Sequence, residues 1–127
     1  MDLKTLLASM RPLLHEQPYV FCTLSREAYE ALPFQPLGSF HEQEGITIIA
    51  TQSQASEYGL AFDGEWAWIT LTVHSSLSAV GFLAAILPRL AQAGISVNPV
   101  SAFYHDHLFV PWELREQAMA VLEAMRP

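Results

Sequence analysis

The sequence His105-Asp106-His107 combines three side chains that can bind a metal ion. In a β-strand, His105 and His107 point to the same face, and two ligands of a zinc site can use that arrangement. His74 offers a further imidazole, but the spacing supplies no evident third and fourth ligand, and a metal site depends on its full ligand set. A polar hairpin tip is the simpler interpretation, so we predict no metal site and no cofactor.

Nucleophilic catalysis has weaker support from the residue pattern. Ser75 and Ser76 follow His74, and Asp106 supplies a carboxylate, but no nucleophile-elbow motif surrounds the serines. Cys22 lies in a predicted buried strand without an activating neighbour, so we expect it to be inert. No glycine-rich phosphate loop occurs in the sequence. We therefore predict no catalytic residue and a protein that is not an enzyme.

The composition suits one compact domain or two small ones joined closely. The 127 residues are 51% hydrophobic, which is enough for a buried core. Thirteen acidic and six basic residues give a net charge of −7, and no cluster of Lys or Arg offers a surface for nucleic acid or an anionic membrane. The single cysteine, the lack of a secretory N-terminal pattern and the short apolar stretches predict a cytoplasmic protein.

The first half is predicted to contain a helix and two buried strands. Asp2 can cap a helix whose apolar residues continue at helical spacing from Leu3 to Leu14. Tyr19–Leu24 and Gly45–Ala50 are rich in β-branched and aromatic residues, which predicts strands. The polar stretch that follows, residues 51–64, separates the halves, so we divide the chain into 1–64 and 65–127.

The second half is predicted to form a strand, a helix, two strands and a helix, at residues 66–73, 77–91, 95–102, 103–110 and from Pro111 onward. This order is that of a ferredoxin-like α+β fold without its closing strand. Either a strand of the first half, for which Tyr19–Leu24 is the natural candidate, or a second subunit must complete the sheet. Trp66 and Trp68 share one face of their strand, which predicts cover by the first half or a dimer interface.

Residues 73–111 resemble the ACT domain family. The segments Gly81-Phe82-Leu83-Ala84-Ala85 and Ala93-Gly94-Ile95-Ser96-Val97 place two glycines at the family's spacing around a predicted helix. Residues 101–111 and 44–49 are similar to parts of the ACT subgroup of aspartate kinases and cytosolic arginine sensors of animals, and the whole chain resembles small bacterial tandem-ACT proteins. The resemblance implies tandem ACT-like halves with a ferredoxin-like βαββαβ fold, an antiparallel sheet and helices on one face. Residues 74–81 depart from the family's Asp-x-x-Pro-Gly loop.

The resemblance also implies a binding site for a small molecule, with an amino acid favoured, at an interface between two ACT units. Carried over by position, the binding residues are Ser75, Ser76, Leu77, Ser78, Val80, Gly81, Asn98, Phe103, Tyr104, His105 and Asp106. The free N–H groups of a helix N-terminus and the serine hydroxyls suit an α-carboxylate, and Asp106 could accept hydrogen bonds from an α-ammonium group. Alternatively, the serines only cap the helix and Gly81 only packs against a strand.

Three functions remain open at this point. The favoured one is a regulatory module that senses a small molecule and acts through protein contacts, as a homodimer or larger homo-oligomer. The second is a structural or interaction protein whose ACT fold has lost its ligand. The third and least favoured is a metal-dependent enzyme using residues 105–107.

Overall fold

The computed structural model describes residues 2–73 and 81–127, which form two compact units. The terminal unit comprises Met1–Glu16 and Ala67–Pro127, and the inserted unit comprises Gln17–Trp66. Each unit has a hydrophobic core of its own. No helix in these described ranges is long and apolar enough to cross a lipid bilayer.

Five helices and six strands are interspersed along the described residues. The helices are α1 (Leu3–Ser9), α2 (Arg26–Glu30), α3 (Gln52–Glu57), α4 (Phe82–Gln92) and α5 (Arg115–Ala124), with a 3-10 turn at Trp112–Leu114. The strands are β1 (Arg11–Leu24), β2 (Gly38–His41), β3 (Ile46–Thr51), β4 (Trp66–Thr72), β5 (Asn98–Ser101) and β6 (Asp106–Pro111).

The first helix begins as predicted and ends earlier. Asp2 caps α1 by accepting a hydrogen bond from the backbone N–H of Thr5. The prediction that helical spacing continues to Leu14 is wrong, because α1 ends at Ser9 and β1 starts at Arg11. Pro12 explains the difference, since proline inside a helix lacks the N–H that the helix needs and its ring clashes with the preceding turn.

The sheet of the terminal unit has the strand order β1-β4-β6-β5. Its share of β1 is residues 11–16, so the first half of the chain does supply the closing strand. The prediction that Tyr19–Leu24 would do so is wrong. That segment pairs with β3 in the inserted unit, with Tyr19 opposite Thr51 and Leu24 opposite Ile46.

The core of the terminal unit lies on one face of β4. Ala67, Ile69 and Leu71 are fully buried there. They share a cluster with buried residues of all three helices of this unit, including Leu6 of α1 and Ile86 of α4. Because side chains alternate along a strand, Trp68 and Thr70 lie on the opposite face of the sheet. This confirms the two faces predicted for the strand.

Gly94 ends α4 as the sequence predicted. Its φ of 79° lies in the left-handed region that glycine favours, and the N–H of Ile95 returns to the carbonyl of Leu90 at 3.0 Å. The last helix starts later than predicted. Pro111 closes β6 with ψ 135°, and a 3-10 turn separates it from α5. The prediction that Pro111 opens that helix at its first turn is therefore wrong.

The inserted unit has the strand order β2-β3-β1, with all pairs antiparallel. Val20, Ile48 and Ala50 are fully buried in its core, together with Ala55 of α3. Thr51 begins α3 with a capping box, in which the Thr51 side chain accepts from the Gln54 N–H and the Gln54 side chain accepts from the Thr51 N–H.

Candidate functional site

The β5–β6 hairpin of the terminal unit carries five of the predicted binding residues. Val100 lies opposite His107 and Ser101 opposite Asp106. The Ser101 hydroxyl donates to an Asp106 carboxylate oxygen at 2.7 Å, and the Ala102 N–H donates to the His105 carbonyl at 3.0 Å. The first bond positions the carboxylate of Asp106, and the second closes the hairpin turn.

The tip of this hairpin exposes two aromatic side chains. Phe103 is 73% exposed and Tyr104 is 76% exposed. Their rings make an edge-to-face contact, with centroids 4.9 Å apart and an angle of 74° between the planes. An exposed aromatic pair is a surface that a ligand or a protein partner can cover.

Asn98 lies at the far end of the same hairpin, and Gly81 lies on a different element. Asn98 starts β5 opposite Phe109, three residues from Ser101, so about 10 Å of strand separates it from the Asp106 end of the hairpin. Gly81 immediately precedes α4 with φ 88°, again in the left-handed region. The other predicted loop residues lie outside the described residues: Ser75, Ser76, Leu77, Ser78 and Val80. The structure therefore brings Asp106 and the tip residues together on one hairpin and leaves Gly81 and Asn98 apart from them.

Two side chains of the His105-Asp106-His107 segment have hydrogen-bond partners within the protein. The Nδ1 atom of His107 accepts a hydrogen bond from the indole N–H of Trp68 at 3.0 Å, and Asp106 is bonded to Ser101. No group of three or more His, Cys, Asp or Glu side chains suited to a metal ion is found within 2–73 and 81–127. The side chains of Asp106 and His107 make hydrogen bonds within the protein.

A polar network that the sequence did not reveal lies on the sheet face opposite the helices of the terminal unit. It consists of His15 on β1, Trp68 and Thr70 on β4, and His107 on β6. The Thr70 hydroxyl lies 2.9 Å from Nε2 of His15 and 3.1 Å from Nδ1 of His107. The imidazole of His15 stacks on the indole of Trp68, with ring centroids 3.5 Å apart and planes 12° from parallel. The network thus connects three adjacent strands.

Hydrogen-bond donors fix the protonation of one ring in this network. An indole N–H can only donate, so the Nδ1 atom of His107 must carry a lone pair to accept from Trp68. A neutral imidazole with a bare Nδ1 carries its hydrogen on Nε2. Thr70 is only 6% exposed and is the single buried polar residue among those described. Its hydroxyl lies within hydrogen-bond distance of a ring nitrogen of both His15 and His107. His107 is therefore a neutral ring in the structure.

Burial acts in the same direction on both histidines. It lowers the pKa of His15 below its ordinary value of 6.5, and the nearby His107 lowers it further. The pKa of His107 is also lowered, by burial first and by His105 second, while Asp106 opposes the change. Burial thus favours the neutral form of both rings, and for His107 the neutral form is the one that its hydrogen bond to Trp68 requires.

Comparison with known protein families decides where this chain belongs. A family model described as an ACT domain matches residues 1–67, and a second ACT-domain model matches residues 65–124. The chain belongs to the ACT domain family. The resemblance to the ACT domain family and the predicted ferredoxin-like α+β fold are both confirmed.

Solved structures of similar chains extend this picture of the ACT fold. A Vibrio cholerae protein of unknown function, described as a possible transport protein, is 40% identical over 98% of this chain and 96% of its own, with a TM-score of 0.86. An Agrobacterium tumefaciens protein is 20% identical, with a TM-score of 0.74 and coverage of 91% and 88%. The ligand-free regulatory subunit of aspartate kinase from Thermus thermophilus is 10% identical, with a TM-score of 0.76 and coverage of 94% and 99%. No curated protein matches the chain significantly.

The network in this ACT protein could have been found in part from its sequence. The alternation in β4 places Trp68 and Thr70 on one face, and His107 follows the same period in β6. His15 was missed because residues 11–14 were assigned to a helix. Its identification required the correct strand start at Arg11.

Proposed function

We propose that this ACT protein is a regulatory module that binds an amino acid and signals through contacts with other proteins, without catalysing a reaction itself. The observation that carries the proposal is the match of ACT-domain models to both halves of the chain. The aspartate kinase neighbour is a regulatory subunit, which supports a regulatory role for a chain of the same fold.

The proposed site combines the start of α4 with the β5–β6 hairpin. Gly81 provides no side-chain cap for the first-turn N–H groups of α4 and has no side chain to obstruct an α-carboxylate. The Asp106 carboxylate uses one hydrogen bond to Ser101 and can accept others, including those of an α-ammonium group. Ser75, Ser76 and Ser78 would add hydroxyl donors.

A homodimer would supply both parts of this site. Gly81 and the hairpin residues lie on separate elements of one chain, and Asn98 is about 10 Å from Asp106 along the hairpin. In the proposed assembly, residues 75–81 of one copy and the hairpin tip of a second copy enclose the ligand. The exposed rings of Phe103 and Tyr104 then become part of the enclosed surface.

Thermal unfolding in the presence of the twenty amino acids, nucleotides and divalent metals tests the proposal. A ligand at a hundredfold excess over its Kd adds about 2.7 kcal/mol of stability, which raises the Tm by several degrees. We expect one amino acid to raise the Tm in one enantiomeric form only. The effect should be lost in Asp106→Ala and kept in Asp63→Ala, which changes an exposed acidic residue elsewhere. No response to any compound would refute ligand binding.

The exposed aromatic pair favours a second candidate, a protein-contact module without a ligand. In that case Phe103 and Tyr104 bind a partner surface directly. Sedimentation of the double variant Phe103→Ser/Tyr104→Ser would show a smaller assembly than the wild type, even though no compound raises the Tm. Phe40→Ser is the matched control, because Phe40 is 71% exposed on β2.

A further inference from the structure

We propose that His15, Trp68, Thr70 and His107 form a proton-sensitive latch between β1, β4 and β6, closed while His107 is neutral and opened when His107 takes up a proton. The latch lies within the terminal unit and involves none of the residues proposed to contact the ligand. Its test therefore stands apart from the test of amino-acid binding.

The hydrogens of the network show why a proton on His107 breaks it. Nδ1 of His107 and Nε1 of Trp68 are 3.0 Å apart, and the indole nitrogen already holds a hydrogen between them. A proton added to Nδ1 would place a second hydrogen in that gap, so the bond to Trp68 must break. Nδ1 could then donate to the Thr70 hydroxyl, 3.1 Å away. The β4–β6 side of the network is thus rearranged.

A proton on His15 has no such effect. Protonated His15 can donate from Nε2 to the Thr70 hydroxyl, which then donates to Nδ1 of His107. The cationic ring would also lie against the face of the Trp68 indole, which is a favourable arrangement. The two histidines are therefore not equivalent, and only His107 acts as the trigger.

The groups that face His107 favour its neutral form. His15 approaches from β1, and β4 contributes no titratable residue. Val100 lies opposite His107 on β5. Near the start of β6, His105 opposes a positive charge on His107 and Asp106 favours it. The helices of the terminal unit pack on the other face of the sheet. With burial included, the pKa of His107 lies below 6.5.

Heteronuclear NMR between pH 8 and pH 4.5 can follow both ends of the latch. We expect His107 to titrate with a midpoint below 6.5. The indole N–H resonance of Trp68 should move with the same midpoint as its bond to His107 breaks. A Trp68 resonance that stays constant through the His107 titration would overturn the proposal.

The variant Trp68→Phe distinguishes the effect of the Trp68 hydrogen bond on the pKa of His107 from the effect of burial. Removing the N–H donor that holds the neutral ring should raise the pKa of His107 towards 6.5. Trp66→Phe is the matched control and should leave that pKa unchanged, because Trp66 contacts Phe21 in the inserted unit. An unchanged His107 pKa in Trp68→Phe would mean that the hydrogen bond does not control the proton.

His107→Asn provides a test that does not alter Trp68. The asparagine side chain keeps an acceptor oxygen near the position of Nδ1 but takes up no proton in this range. The Trp68 indole resonance should then lose the wild-type midpoint, and any remaining change should follow the titration of His15, which stacks on that indole. If it still titrates as in the wild type, another group controls it and the latch is refuted.

Discussion

At the scale of single residues, Thr70 connects two imidazole rings through one hydroxyl group. Thr70→Val keeps the shape and removes hydrogen bonds to both His15 and His107 in a site that is 6% exposed. We expect the free energy of unfolding at pH 7.5 to fall by about 1–2 kcal/mol. Urea denaturation measures the change. Thr23→Val, at an exposed position of β1, is the control, and an equal loss in both variants would contradict a structural role for the Thr70 hydroxyl.

Gly45 presents a second test at this scale, since the strand beside it leaves no room for a side chain. A Cβ atom at Gly45 would lie 2.7 Å from Oγ1 of Thr23 and 3.1 Å from the carbonyl oxygen of Leu24. Gly45→Ala should therefore lower the free energy of unfolding by about 1–3 kcal/mol. Gly38→Ala is the matched control, because nothing lies within 4 Å of its Cβ position. Denaturation curves that coincide for the two variants would refute this steric account.

At the scale of secondary structure, the capping box sets the start of α3. Thr51→Ala removes the side-chain acceptor for the Gln54 N–H and should lower the stability of the protein by about 1 kcal/mol. Ser53→Ala, at an exposed position of the same helix, should be neutral or slightly stabilising because alanine has the higher helix propensity. Thermal unfolding followed by circular dichroism compares the two. A Thr51→Ala variant as stable as Ser53→Ala would show that the cap contributes little.

Helices and strands were predicted correctly where the residue pattern was compatible with only one kind of secondary structure. Gly94 marks the end of α4, whereas the predicted start at residue 77 differs from the observed start at Phe82, directly after Gly81. The aromatic and β-branched residues of 66–72 favour a strand, and the period of two then defines its two faces. The apolar residues between positions 3 and 14 also recur at helical spacing, yet the chain becomes an extended strand at Arg11. Pro12 was the local sign of that change, and tertiary pairing with β4 decided it.

The candidate site was predictable only where neighbours in sequence form it. The hairpin contacts of Ser101 with Asp106 and of Phe103 with Tyr104 join residues close in the chain. The bond between His15 and Thr70 joins residues 55 positions apart. Such a contact depends on which strands become neighbours, which residue types alone do not determine.

At the scale of the whole molecule, a fall in pH changes folding stability in two opposite ways, one through His15 and His107 and the other through the net charge. The pKa values of His15 and His107 are lowered on folding, so the unfolded chain takes up protons first as the pH falls. Their contribution to stability is complete above pH 6.5 and is lost as the pH falls from 6.5 through their folded-state pKa values. The net charge of −7 acts oppositely, because protonation reduces repulsion among the acidic groups.

Melting curves at pH 7.5 and pH 5.5 in 0.5 M salt test this balance. The salt screens the repulsion among exposed charges and leaves the buried contribution largely intact. We expect a lower Tm at pH 5.5. A Tm that rises at pH 5.5 in high salt would show that the two histidines do not control stability in this range.

The division of the chain into two units has a consequence for its synthesis on the ribosome. Residues 2–16 emerge well before their partners in the terminal unit, which begin at Ala67, after the inserted unit has been made. At usual elongation rates, the intervening stretch of about 50 residues takes roughly 3–10 s to translate. During that interval Leu6 and Met10 have none of the β4, α4 and α5 residues that bury them in the finished protein. The nascent chain therefore displays an apolar segment that a holding chaperone can bind, while the inserted unit can already fold behind it.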